Sequence, residues 1–265
     1  MRVSPLLILA ILSTLPTSLH AAQEQHQAYT LVLQSADLPE ADRKGILKSI
    51  DVSACPLWEV NEVVLQRVRD LGYVTAEVEE QKQASNNRTQ LSENIKAGIR
   101  YRLRAIEVVK ATIFPPDQLR REVRLNPGDV ASASEVANGL ERIRNLYGSK
   151  GYVNTVIVPM VHYDSQQGLL DMTLEVDEGR RYRFGELLLD GVEPYPGAAR
   201  QLTASWKPLR GQTFNTSLLD KWLRANQTSC PSCTAQRNIA IPAQSFLASS
   251  NLLNVTLHLP ARPLQ

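Results

Sequence analysis

The sequence predicts an α+β protein built as three tandem β-α-α-β-β units, each a three-stranded sheet with two helices on one face. Two internal repeats carry that prediction. The segment LQRVRDL at 65–71 returns as LERIRNL at 140–146, with Leu65, Val68 and Leu71 matched by Leu140, Ile143 and Leu146 and with both arginines kept; each copy is followed by a Gly-Tyr, at 72–73 and 151–152. The segment GIRYRL at 98–103 returns as GRRYRF at 179–184, and Tyr101, Leu103, Ile106 and Val108 then correspond to Tyr182, Phe184, Leu187 and Leu189. Strand alternation breaks between the second and third member of both sets, which reads as one strand carrying the same bulge twice. Tyr29, Leu31 and Leu33 look like a plainer first copy.

The elements of the middle unit can be taken in order. After its opening strand, Pro115-Pro116 starts a short helix with Leu119 and Val123 on one face, and Asn126-Pro127-Gly128-Asp129 stops it. Ser132-Ala133-Ser134-Glu135 is a capping box, opening a helix whose apolar face is Val136, Leu140, Ile143 and Tyr147. A second strand is expected over 153–162, followed by a turn at 164–168. In the third strand Leu170, Met172, Leu174 and Val176 alternate with Asp171, Thr173, Glu175 and Asp177. The last unit repeats this with drift: Pro196 to Trp206 as first helix, Asn215 as cap, Leu219, Trp222 and Leu223 as the second helix's face, and Leu253, Val255 and Leu257 on a final strand. The expected boundaries are 28–98, 99–180 and 181–260.

Residues 1–22 read as an export signal. Arg2 gives a basic start, Pro5 to Leu15 an apolar run, and LHAA a small-residue end. That run is shorter than the roughly 20 residues a membrane-spanning helix needs. The whole chain has 29 basic and 27 acidic residues, a net charge of +2, which argues against a dedicated nucleic-acid surface. Three cysteines are too few for a disulfide framework in an exported protein, so apolar packing must hold the cores.

The order and spacing of these motifs resemble POTRA domains, the modules that precede outer-membrane barrels of the BamA and TamA kind. The resemblance rests on Tyr101, Leu103, Ile106 and Val108, on Gly128-Asp129, on Leu146-Tyr147 followed by Gly151-Tyr152, and on Glu178-Gly179. It departs from the pattern where copy 1 lacks the YGSK segment, where copy 3 has Thr228 to Cys233 in place of Gly-Tyr, and where no barrel follows. It implies a non-enzymatic periplasmic protein, associated with the outer membrane, that binds other envelope proteins in outer-membrane protein assembly or translocation. Partners would be a separately encoded barrel or unfolded clients. Alternatives from other classes are a periplasmic spacer or scaffold, and an envelope enzyme of unknown type.

In POTRA domains the second strand lies at a sheet edge. Pro159 independently favours an edge here, because proline lacks a ladder donor. The resemblance therefore implies a partner-binding strand at Val153, Asn154, Thr155, Val156, Ile157 and Val158, to which an extended segment adds by main-chain pairing.

The remaining motifs have plainer readings. Cys230 and Cys233 are expected to form a local disulfide in place of the missing Gly-Tyr. They follow a predicted helix, the opposite placement from a redox motif activated at a helix N-terminus. Cys55 is expected to be reduced and shielded. No four-ligand zinc set, hydrolase signature or phosphate-binding loop is visible, so no metal or other cofactor is expected. The arginines at 100, 102, 104, 180, 181 and 183 read first as solvated faces and inter-unit ties, and secondarily as a contact for anionic lipid head groups.

Overall fold

A computed structural model describes residues 29–85, 88–190, 196–227 and 251–258. Unit 1 runs β1 (Tyr29–Gln34), α1 (Glu40–Ser49), α2 (Val60–Asp70), β2 (Glu77–Ser85) and β3 (Arg88–Lys96). Unit 2 runs β4 (Arg102–Val109), α3 (Pro116–Glu122), α4 (Ala133–Gly148), β5 (Val156–Asp164) and β6 (Leu169–Asp177). Unit 3 contributes β7 (Arg183–Asp190), α5 (Pro196–Trp206), α6 (Thr216–Ala225) and β8 (Leu252–His258).

The sheets share one topology. Strand order is β1-β3-β2 in unit 1 and β4-β6-β5 in unit 2, with the first strand parallel to the last and the middle strand of the chain order antiparallel at the edge. In unit 3, β7 and β8 make the same parallel pair. The position of a strand between α6 and β8 falls on residues outside those described, as do Cys230 and Cys233, the export signal and the far end of the chain.

Local sequence explains the elements. The register slips between Leu103 and Ala105 in β4 and between Phe184 and Leu187 in β7, the repeated bulge that the broken alternation predicts. Through it Leu103, Ile106 and Val108 all reach the core of unit 2 although their spacing is uneven. Pro116 occupies the first turn of α3, where a missing N–H costs nothing, and Leu119 and Val123 are buried beneath it. The Ser132 hydroxyl caps α4 by accepting the Glu135 N–H at 3.3 Å, and the Asn215 side chain caps α6 by accepting the Leu218 N–H at 3.1 Å.

Each unit has its own apolar cluster: Leu31, Val60, Val64, Leu91 and Ile95 in the first; Leu103, Leu119, Ile143, Tyr147 and Leu174 in the second; Phe184, Leu202, Trp206 and Phe214 in the third. Full burial of one such aliphatic side chain stabilises by about 1.5–3 kcal/mol.

Glu93 breaks this pattern. It follows Leu91 and precedes Ile95 on the inward face of β3 and is fully buried. One carboxyl oxygen accepts from Asn61 Nδ2 at 3.0 Å; among the described residues the other has no partner. Burial raises its pKa above the ordinary carboxyl value, and nearby Glu80 adds to this, while Asn61 and Lys82 oppose it. A raised folded pKa means that the native state binds the proton more tightly than the unfolded chain. Unit 1 is therefore most stable below the unfolded carboxyl value and loses stability as pH rises through the folded one. Glu93→Gln is expected to raise the melting temperature of unit 1 by a few degrees at pH 7 and to flatten this slope. Thermal melts at pH 4.5 and 7.5 check it; an unchanged slope counts against it.

Candidate protein-binding edge

β5 pairs with β6 in continuous antiparallel register from Val156 opposite Asp177 to Asp164 opposite Leu169. Among the described residues no strand pairs with its other side. Side chains alternate across a strand, and so do its amides: successive N–H groups point toward β6 and away from it. Pro159 sits within this unbroken register. A proline is accommodated there with its nitrogen on the open side, where no ladder bond is lost. The free-edge amides are then those in phase with it, Ile157 and Val161, and Pro159 interrupts the row between them.

The face of β5 turned away from the helices is apolar. Val156, Val158 and Met160 are 53%, 50% and 47% exposed, while Ile157 between them is buried in the core. The neighbouring acidic column on β6 is already neutralised from the β4 side. Arg104 forms a bidentate pair with Asp171 and reaches Asp164 at 3.3 Å, and Lys110 pairs with Glu175. The Arg104 guanidinium holds the Asp171 carboxyl below its ordinary range. The corresponding edge strand of unit 1, β2, reads EVEEQKQAS and carries Glu77, Glu79, Glu80 and Lys82 over its first six residues, a protected edge.

The strand expected over 153–162 starts instead at Val156. Val153 packs against the apolar cluster of unit 3, and Asn154 Nδ2 donates to the Tyr182 hydroxyl at 3.1 Å. Thr155 is buried, its hydroxyl 3.0 Å from the Tyr152 carbonyl and 3.1 Å from that of Glu178, able to donate to one at a time. These three residues are engaged by the preceding helix end and the next unit. Of the six residues predicted for the binding strand, Val156, Ile157 and Val158 lie on the edge.

Glu178 anchors this end of the sheet, a role that a charge at a strand exit does not announce. Its side chain accepts the Thr112 and Ile113 N–H groups at 2.7 Å each and the Tyr147 hydroxyl at 2.9 Å, and bonds the Thr112 hydroxyl. Burial by itself would raise the carboxyl's pKa. The bonds from Thr112, Ile113 and Tyr147 outweigh it, so the net shift is downward. A lowered folded pKa contributes stability above the unfolded carboxyl value that is lost as pH falls through the folded one. Glu178→Gln is therefore expected to remove part of the acid sensitivity of unit 2 while lowering its stability at pH 7 by about 1–3 kcal/mol. Urea titrations at pH 3.5 and 7 measure both; equal losses at the two pH values would refute the assignment.

Five of the six clustered arginines have protein partners. Arg100 and Arg181 donate to carbonyls of the preceding unit, Arg102 and Arg183 to the Gly128 and Gly211 carbonyls at 2.7 and 3.4 Å, and Arg104 to the carboxylates above. Cys55, a free cysteine, is half-buried against the core of unit 1, its carbonyl accepting the Tyr29 hydroxyl at 3.0 Å. Among the described residues no acidic, histidine or cysteine side chains group as a metal site, and no helix is long and apolar enough to cross a membrane.

Residues 101–179 match the family model POTRA, described as surface antigen variable number repeat. The whole arrangement superimposes on POTRA domains 3–5 of BamA from Haemophilus influenzae with a TM-score of 0.72, at 15% identity, covering 88% of this chain and 95% of that one. Unit 2 thus matches the POTRA model, and the described residues have the fold of three consecutive POTRA units. A Treponema pallidum (strain Nichols) protein, provisionally named an outer membrane protein assembly factor, is 23% identical over 129 residues. That match takes in 46% of this chain and 15% of the relative's length.

Proposed function

We propose that the protein is an exported, non-enzymatic binding module of the periplasm, working beside the outer membrane in protein assembly or translocation, and that it takes an extended segment of a partner on the open side of β5. Barrel proteins encoded elsewhere, or their unfolded precursors, are the partners this reading calls for. The observation that carries it is the contrast between two edges of one topology: β2 carries Glu77, Glu79, Glu80 and Lys82 over its first six residues, whereas β5 leaves Val156, Val158 and Met160 exposed beside backbone that has no strand partner among the described residues. Main-chain pairing supplies tolerant affinity, and the apolar row favours segments with apolar residues at alternate positions. The POTRA match of unit 2 and the provisional name of the Treponema relative support the setting.

Lysine at an exposed edge position repels strand addition without entering the core. Val156→Lys with Val158→Lys is expected to cut the yield of co-purifying outer-membrane proteins by roughly tenfold, with circular dichroism unchanged. Thr155 is unsuited to such a test because its hydroxyl serves the fold. Full retention of partners by the double variant would overturn the edge reading, and retention of one fixed partner would favour a scaffold that spaces proteins in the periplasm.

A further inference from the structure

The Gly-Tyr repeat has a second role, visible only when the two inter-unit contacts are compared. In unit 1 the second helix leads into Asp70-Leu71-Gly72; in unit 2 it leads into Ser149-Lys150-Gly151. At both places the glycine carbonyl accepts the N–H of the next unit's opening tyrosine, Tyr101 to Gly72 and Tyr182 to Gly151, each at 2.8 Å. The carbonyl one residue earlier accepts from the arginine before that tyrosine, Arg100 Nε to Leu71 at 2.8 Å and Arg181 Nε to Lys150 at 3.0 Å.

The residue two before the glycine meets the start of the next unit's second helix. The Asp70 carboxylate accepts from the Ser134 N–H and hydroxyl, each at 2.8 Å, and from the Ser132 hydroxyl at 3.3 Å. The Ser149 carbonyl accepts from Asn215 Nδ2 at 3.0 Å. Two residues after the glycine, Val74 packs against the core of unit 2 and Val153 against the core of unit 3. Four contacts therefore recur at the same four offsets. They recur although α4 has 16 residues and α2 has 11, so the contacts are set by the glycine and not by helix length.

We infer that residues 70–74 and 149–153 are one docking element used twice, a socket for the Arg-Tyr opening and second-helix start of the following unit, and that it holds the three units as a single rod. Domains joined in one chain move relative to each other by default unless the contact between them is extensive or specific. Here backbone and side-chain contacts recur at matching offsets in both joints. The joint between units 1 and 2 is the tighter, because a charged carboxylate takes three donors where a neutral carbonyl takes one. This inference is independent of any partner at β5, and its test uses no partner.

Spin labels placed at Lys48→Cys on α1, Asn138→Cys on α4 and Ala204→Cys on α5, two at a time, report each joint in the mature chain with its three natural cysteines changed to serine. Double electron–electron resonance is expected to give one narrow distance distribution across each joint. Arg181→Ala should broaden the distribution between α4 and α5 to about twice the parent width or more while leaving α1 to α4 unchanged. Asp70→Ala with Arg100→Ala should do the reverse. A broad distribution in the parent, or an unchanged one across an altered joint, overturns the inference. If an alanine variant loses helical circular dichroism, Arg100→Gln and Arg181→Gln are read in its place by the same criteria.

Discussion

Tyr147→Ala is expected to destabilise unit 2 by about 3–5 kcal/mol, the usual cost of truncating a buried aromatic. Tyr147 is completely buried on α4, with edge-on contacts to Phe114 and Tyr152 at centroid distances of 4.9 and 6.2 Å, and its hydroxyl holds Glu178. Truncation removes the ring that fills the space between α4 and the loop before α3, and one of the bonds that fix the end of β6. Set against a domain stability of about 5–15 kcal/mol, the loss is a large fraction. Tyr147→Phe separates the two contributions: it keeps the ring, and the backbone donors of Thr112 and Ile113 still satisfy Glu178, so about 0.5–1.5 kcal/mol is expected. Urea unfolding by far-ultraviolet circular dichroism is the measurement. Tryptophan fluorescence reports the other units, since Trp58 lies in unit 1 and Trp206 and Trp222 in unit 3. An alanine variant within about 1 kcal/mol of the parent would show that the ring does not carry this part of the core.

The features legible in the sequence are those whose partners are close in the chain or repeated. The bulge in β4 and β7 was readable because two copies break alternation at the same place, and the caps at Ser132 and Asn215 because a cap acts within three residues. The edge position of β5 followed from the POTRA resemblance together with Pro159. Its start did not, since Val153 and Thr155 have strand-like side chains but are drawn off by unit 3 and by the Glu178 carbonyl. Glu93 and Glu178 were unreadable for a related reason. A carboxylate in or just after a strand is taken as solvent-facing by its charge, and only the fold reveals that Asn61 or the loop at 112–113 waits for it. Gly72 and Gly151 were legible as the reversal from helix to strand, and both have the positive φ that this requires. That their carbonyls also receive the next unit was not, because the partner lies some thirty residues on, beyond any local pattern.

Gly151→Ala is expected to cost more than the backbone alone explains, and a second glycine supplies the comparison. Gly151 has φ +92°, and a Cβ there would lie 2.8 Å from the Tyr182 carbonyl oxygen, 3.0 Å from Thr213 Cγ2 and 3.2 Å from the Phe214 carbonyl oxygen, all in unit 3. Gly128 has nearly the same conformation, φ +91°, but a Cβ there would meet nothing within 4 Å. The left-handed conformation costs an alanine about 1–2 kcal/mol at either site. Only at Gly151 must the opening strand of unit 3 also retreat, lengthening the 2.8 Å bond from Tyr182 and pulling Arg181 from the Lys150 carbonyl. A further loss of about 1–3 kcal/mol is expected for displaced hydrogen bonds. Gly151→Ala should therefore destabilise by about 2–5 kcal/mol against about 1–2 for Gly128→Ala, the excess being the contribution of the contact between units. Differential scanning calorimetry on the two variants should also show the transition of unit 3, followed by Trp206 and Trp222 fluorescence, separating from that of unit 2 only for Gly151→Ala. Equal losses at the two glycines, with the transitions still coincident, would mean that Gly151 is needed for its own turn and not for receiving its neighbour.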